Sequence, residues 1–199
     1  ILNEKVLKNH LLNTSEIKIL LKSLYSFLEN DTLDEFVEFC DYVKLPKGTE
    51  LIQERNRHHY IYLVIKGSVK SYYLNEGKES CTWFAFENEI VATIKTFSGL
   101  NSNETIKLLE DSEFIRINSK AFKKLAENKM SMSRLINELL IEHAVFLEAL
   151  LYLKSIPAKD RYHLLVKDQP HLLQRISLTD LASFIGINRE TLSRIRSKA

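Results

Sequence analysis

The sequence predicts an α+β protein, and three observations carry that class. Before about residue 40 and after Ser119 the apolar side chains repeat at helical spacing, whereas from Tyr42 to Ile117 they fall in short alternating runs. Those middle runs are rich in Val, Ile, Tyr, Phe and Thr and are broken by turn residues about every ten positions, the pattern of a β-sandwich or small barrel. The end of the chain splits into two short helical patterns with Gly186 between them. A chain of 199 residues can hold one large or two small cores. Its apolar and charged fractions, 45% and 27%, are those of a soluble globular protein. No run approaches the ~20 apolar residues of a membrane span. Ile1 to Leu7 includes Glu4 and Lys5 and so lacks a signal-peptide core, and a cytoplasmic location is expected. The first residue is not Met, which points to a trimmed chain.

In the first part, Ile17, Leu20, Leu21 and Leu24 lie on one helical face behind Thr14 and Ser15. A second helix is expected behind Thr32, with Glu35 completing a capping box. The segment before Ser15 reads either as an added helix or as a poorly ordered terminus. Strands are expected at Val43–Leu45, Tyr60–Ile65, Val69–Leu74, Cys81–Phe86, Thr105–Leu109 and Glu113–Ile117. Their separators are Pro46-Lys47-Gly48, Lys66-Gly67 and Asn75-Glu76-Gly77, residues that favour turns. Tyr60, Tyr62, Tyr72, Tyr73, Trp83, Phe84 and Phe86 read as sandwich core or as the lining of an apolar pocket.

A single long helix is expected over 119–155. Met132, Ile136, Leu139, His143, Phe146, Leu150 and Leu153 alternate steps of four and three, a coiled-coil seam, with Leu135, Leu140, Leu147 and Leu151 as a neighbouring stripe. A helix apolar on two sides needs two partners: its own β-domain and, most simply, the same helix of a second copy. His143 then reads as a polar register residue of the seam rather than as a pH sensor. Pro157 suits a helix start, so the long helix should stop just before it, in a hinge at Ser155-Ile156-Pro157-Ala158. A short helix over Asp160–Lys167 follows, ended by Asp168-Gln169-Pro170.

In the terminal stretch Leu178, Leu181, Ala182 and Ile185 share a helical face behind a Ser177/Asp180 cap. Gly186 permits a sharp stop, and Asn188 is a good cap for a second helix. In that second helix Leu192 and Ile195 point inward while Arg189, Glu190, Ser193, Arg194 and Ser197 share the other side. A helix–turn–helix with a polar, Arg-bearing second helix can read DNA, because an α-helix fits the major groove and Arg bonds bidentately to guanine. An ordinary helical hairpin with a solvated face is the competing reading. Charge favours the first: residues 154–199 hold nine Lys or Arg and four Asp or Glu, a balance of +5 in a chain whose net charge is +2.

Arg189-Glu190-Thr191 and Arg194 resemble the base-reading signature of the Crp–Fnr regulators, the cyclic-AMP receptor family. Leu45-Pro46-Lys47-Gly48-Thr49-Glu50-Leu51-Ile52 and Ile61-Tyr62-Leu63-Val64-Ile65-Lys66-Gly67-Ser68-Val69 are similar to two stretches of its cyclic-nucleotide-binding domain. The resemblance covers the chain from about Leu24. It implies a sensor domain over 1–118, made of a helical N-terminus and a double-stranded β-roll (jelly roll) at 42–118. A dimerisation helix over 119–155 and a winged-helix-type DNA-binding domain over 156–199 follow, with a wing that must be small or absent. It implies that Arg189, Glu190 and Arg194 touch bases and that Thr179, Asn188 and Thr191 touch phosphate, with Ser193, Arg196 and Lys198 on the same surface. Double-stranded DNA and a second copy are the implied partners, RNA polymerase a further candidate, and no membrane is involved. A sensor or scaffold module acting through protein partners is the alternative function.

The effector is less legible. In cyclic-AMP-binding relatives a Gly-Glu-Leu turn holds the ribose and an Arg-Ser pair the phosphate. The corresponding positions here are Asn88-Glu89-Ile90 and Ser102-Asn103, so Glu89, Ser102 and Asn103 are the candidate effector residues. The phosphate-neutralising Arg is missing and Glu104 would repel the anion, so cyclic AMP is not expected to bind in the usual way. Lys95 or Lys107 would be the substitute cations. Thr93–Asn103 is expected to loop over the mouth of the roll with Gly99 in its turn. Cys40 and Cys81 are too few for a disulfide framework, a cysteine-built zinc site or the four-cysteine iron–sulfur cluster of the family's oxygen sensors, and should be reduced and packed. The jelly roll is also an enzyme fold, the cupin, but His58 and His59 are adjacent and face opposite ways on a strand, and His10, His143, His163 and His171 lie in helical or linker stretches. No metal set and no nucleophile–base pair stands out, and no enzyme is expected.

Overall fold

A computed structural model describes residues 12–170 and 172–197. Residues 1–11, where an added helix or loose terminus was expected, and Lys198 lie outside these. The chain begins with α1 (Thr14–Leu24), capped by a reciprocal Asn13/Glu16 pair rather than from Ser15, and α2 (Asn30–Val37). The expected Thr32/Glu35 cap is not formed. The helix starts three residues earlier, behind Glu29, and Thr32 is fully buried, with its hydroxyl accepting from Ser131 at 3.3 Å.

Eight strands follow: β1 (Cys40–Leu45), β2 (Glu50–Ile52), β3 (Tyr60–Lys66), β4 (Val69–Asn75), β5 (Lys78–Ala85), β6 (Ile90–Val91), β7 (Thr105–Leu108) and β8 (Ser112–Asn118). They form two four-stranded antiparallel sheets, ordered β1-β8-β3-β6 and β2-β7-β4-β5. This is the expected β-roll. Leu51, Ile52, Val64, Val69, Val91, Ile106, Leu108 and Phe114 fill the space between the sheets. The expected loop over Thr93–Asn103 contains a helical turn, α3 (Ile94–Ser98), held by a Thr93/Thr96 box and stopped at Gly99 with φ 68°. A second core lies outside the first sheet, where α1 and α2 pack on Ile61, Leu63, Ile115 and Ile117.

The single helix expected over 119–155 is two: α4 (Ser119–Asn128) and α5 (Met130–Ser155), with Lys129 extended at φ −125° and ψ 118°. Phe122 and Leu125 hold α4 on the second core, while Lys129 turns to pair with Asp31 at 3.1 Å and Glu35 at 2.7 Å. The expected seam divides. Met132 is buried in the core shared with α1 and α2, and Leu153 in a third core at the C-terminal end. Leu140, Leu147 and Leu151, the neighbouring stripe, stay 44%, 44% and 72% exposed.

After the hinge come α6 (Ala158–Asp168), α7 (Leu172–Arg175), α8 (Leu178–Ile185) and α9 (Arg189–Arg196). In place of a wing before α8 there is the single turn α7. Leu153, Tyr162, Leu165, Ile176, Leu181, Ala182, Phe184, Ile185 and Leu192 make the third core, and Cys81 and Phe86 of the roll belong to it too.

Candidate nucleic-acid interface

The terminal pair is built by local rules. Ser177 Oγ accepts from the Asp180 amide at 3.0 Å and starts α8. Gly186, at φ 80°, ends α8, its amide donating to Ala182 O and Ser183 O. Such a left-handed stop suits glycine because no Cβ collides with the carbonyl. Asn188 Oδ1 accepts from the Thr191 amide at 2.7 Å and starts α9. Leu192 is fully buried and Ile195 half-buried, so they fix which side of α9 faces out.

The free side carries the predicted residues. Arg189, Glu190, Ser193, Arg194 and Arg196 are exposed, as are Asn188 and Thr179, and Thr191 is half-buried. The guanidinium groups of Arg189 and Arg194 have no ion-pair partner among the described residues. Both are therefore available to an anion or a base edge. Asn188 spends its side-chain oxygen on the cap.

Arg161 escaped sequence reading. From α6 its Nε donates to Ile156 O at 2.9 Å in the hinge and its Nη1 to Ile185 O at the end of α8. It ties the hinge to the turn of the pair. Ser183 was also unforeseen: its hydroxyl accepts from the Cys81 amide at 2.9 Å and donates to Glu79 O at 2.9 Å, closing the open edge of β5. Such edges are otherwise left unpaired.

The candidate effector residues are not brought together. Glu89 Oε2 accepts from the Phe86 amide at 2.9 Å within the turn between β5 and β6. Ser102 is buried and bonded to the Glu104 backbone, and with Asn103 it lines an open cleft of about 460 Å³ that Glu89 does not line. Arg55, Arg57 and Lys95 share that cleft, two of them cations the sequence did not offer. Lys95 donates to Asn103 at 2.6 Å and Arg55 lies 3.5 Å from Glu54. Glu104, expected to repel a phosphate, accepts from Trp83 Nε1 at 3.0 Å and from Ser71. Of the aromatic residues, Tyr62 and Tyr72 are buried, Tyr73 is 42% exposed, and Phe84 packs on Phe184 at 5.5 Å. Cys40 and Cys81 are free thiols, each pushed up to about 12 by burial. Among the described residues no group of three His, Cys, Asp or Glu is placed to hold a metal, and no helix is long and apolar enough to cross a membrane.

A β-roll joined through one long helix to a helix–turn–helix defines the fold class. The family model of the cyclic nucleotide-binding domain matches residues 42–129, which takes in α4 and stops at the break in the helix. The structure is similar to FixK2 from Bradyrhizobium japonicum, with TM-score 0.71 at 20% identity over 80% of this chain and 83% of that one. It is similar to a protein from Eubacterium rectale described as a transcriptional regulator of the crp/fnr family (TM-score 0.69, 16% identity, 88% of this chain and 85% of that one). DNR from Pseudomonas aeruginosa gives TM-score 0.53 at 24% identity over 92% of this chain and 86% of that one. No curated protein matches by sequence. Residues 42–129 thus match the cyclic nucleotide-binding domain, and the chain as a whole has the fold of the Crp–Fnr regulators.

Proposed function

We propose that this chain is a homodimeric, sequence-specific DNA-binding transcription regulator. The observation that carries the reading is the outward face of α9: Arg189, Glu190 and Arg194 are exposed on a helix whose other side is anchored by fully buried Leu192. Arg189 and Arg194 supply base-edge donors, Glu190 an acceptor for cytosine, and Asn188, Thr179 and Thr191 sit where a phosphate backbone would pass. The second copy docks on the Leu140/Leu147/Leu151 stripe of α5, which the described residues leave exposed. Two-fold pairing then sets two copies of α9 one turn of DNA apart, about 34 Å. RNA polymerase is a further partner of such a regulator.

The sensor domain takes no cyclic AMP in the usual mode. Glu104 next to Ser102 and Asn103 would repel the anion, and Arg55, Arg57 and Lys95 share with that pair an open cleft that Glu89 does not line. Isothermal calorimetry with cyclic AMP should show no micromolar binding; such binding would overturn this part. The function itself is tested by titrating duplex DNA at two salt concentrations. Arg189→Ala or Arg194→Ala should each cost ~1–3 kcal/mol on a selected site and relax specificity there. Variants that bind every sequence as the wild type does would instead favour a module acting through protein partners.

A further inference from the structure

The terminal domain does not hang from the hinge alone; it is clamped to the end of the β-roll at two points. Arg175, two residues ahead of the α8 cap, donates Nη1 to Glu87 Oε2 at 2.6 Å and Nη2 to Glu87 Oε1 at 2.9 Å and to Glu110 Oε1 at 2.6 Å. Its guanidinium lies 5.0 Å from the centre of the Phe86 ring. Both carboxylates are also held from the roll: Glu87 accepts from the Gly67 amide at 2.9 Å and Glu110 from Ser68 Oγ at 2.6 Å. The second point is Lys70 on β4, with a side chain only 10% exposed, which reaches Glu79 at 2.5 Å and Asp180 of α8 at 2.6 Å. Burial opposes the charge on Lys70, but bonds to Asp180 and Glu79 raise its pKa above the ordinary value. Between the two points lie the Ser183 closure of β5 and the Phe84–Phe184 contact.

We propose that Arg175–Glu87–Glu110 and Lys70–Asp180 form an ionic latch that holds the helix–turn–helix on the β-roll in a state of low DNA affinity. The sense of the latch rests on the DNA-binding reading; its existence does not. The turn Phe86–Ile90 carries Glu87 and Glu89 two residues apart, and Val64 on β3 grips it by two backbone bonds, from its own amide to Glu89 O at 3.0 Å and from the Asn88 amide to its carbonyl at 2.8 Å. A movement of β3 at Val64 is therefore felt at Glu87, and so at the terminal domain, without passing through α5. The low affinity follows from charge. Glu79, Glu87 and Glu110 of the roll gather at the face on which the α7–α8 segment, with Thr179, is seated. A phosphate backbone brought to that segment meets like charge until the domain swings away. Partly exposed ion pairs of this kind are individually weak, which leaves the closed state only modestly favoured and easy to bias.

The test uses the full chain with Arg175→Gln, which deletes the cation, and Arg175→Lys, which keeps the charge but loses the two-pronged fork. Amide hydrogen exchange should quicken in 79–86 and 178–185 in both variants and in high salt, while β1 and β8 exchange as in the wild type. DNA affinity should rise, by roughly fivefold or more for Arg175→Gln. Simple electrostatics predicts the opposite for that variant, because a positive charge has been removed. Unchanged exchange in both variants overturns the latch. Faster exchange with equal or weaker DNA binding overturns its inhibitory sense. Faster exchange in a protein that binds no DNA in any form supports the latch and removes the DNA reading instead.

Discussion

Gly67 shows how tightly single residues are held at the end of the roll. It sits at φ 111°, and a Cβ there would lie 2.1 Å from Ser112 Oγ. Gly67→Ala should therefore destabilise the protein by roughly 2 kcal/mol or more in urea unfolding. Asn188→Ala removes a cap worth ~1 kcal/mol, and should lower the stability of the terminal domain while leaving the roll intact. His58, stacked on Tyr62 with Nε2 buried and unpartnered among the described residues, is pushed down to about 4 by burial and by neighbouring His59. Its folded pKa lies below the ordinary 6.5, so the unfolded chain binds the extra proton between these values. Stability should be full above pH 6.5 and fall as the pH drops towards 4, and His58→Phe should flatten that stretch of the profile. The caps at Ser177, Gly186 and Asn188 were legible in the sequence because each acts on a group within three or four residues. Arg175, Lys70 and Arg161 were not, because their partners lie 88, 110 and 24 positions away.

Among the elements, α5 is the one whose surface is out of balance. Leu140, Ile141, Val145, Leu147, Leu151 and Tyr152 are all exposed along its middle. Leu147→Glu should leave the fold unchanged by circular dichroism yet weaken self-association by roughly 3 kcal/mol or more, converting a dimer to a monomer in sedimentation. Heptad spacing revealed that the helix has two apolar stripes. It did not reveal which one stays open, because Met132 and Leu153 are claimed by two cores formed from distant parts of the chain. The break at Lys129 was hidden because Asn128-Lys129 contains neither Gly nor Pro; the ion pairs to Asp31 and Glu35 become visible only once α2 is in place. Strands β2 and β6, three and two residues long, are too short to display a period. The six longer strands could be found, since alternation over four or more positions is itself the trace of a face turned inward.

For the whole molecule, order in the chain becomes order in space: a β-roll, a long helix, and a helix–turn–helix head. What a linear reading misses is that roll and head share a core, in which Cys81 and Phe86 pack with Phe184 and Ile185. The head's orientation is thus a property of the roll's far end as well as of α5. The candidate DNA face was legible because Arg189-Glu190-Thr191 and Arg194 lie within one short helix. The candidate effector residues make no single site: Glu89 and the Ser102–Asn103 pair serve separate surfaces, a separation that neighbouring positions in the sequence do not display. The central claim is that two copies of α9 read one duplex together. Selection of bound duplexes from random DNA tests it most directly. The account predicts an enriched inverted repeat whose half-sites are centred about one helical turn apart, lost when Arg189 and Arg194 are both changed to Ala. Recovery of unenriched DNA, or of a lone half-site with no symmetric mate, would contradict it.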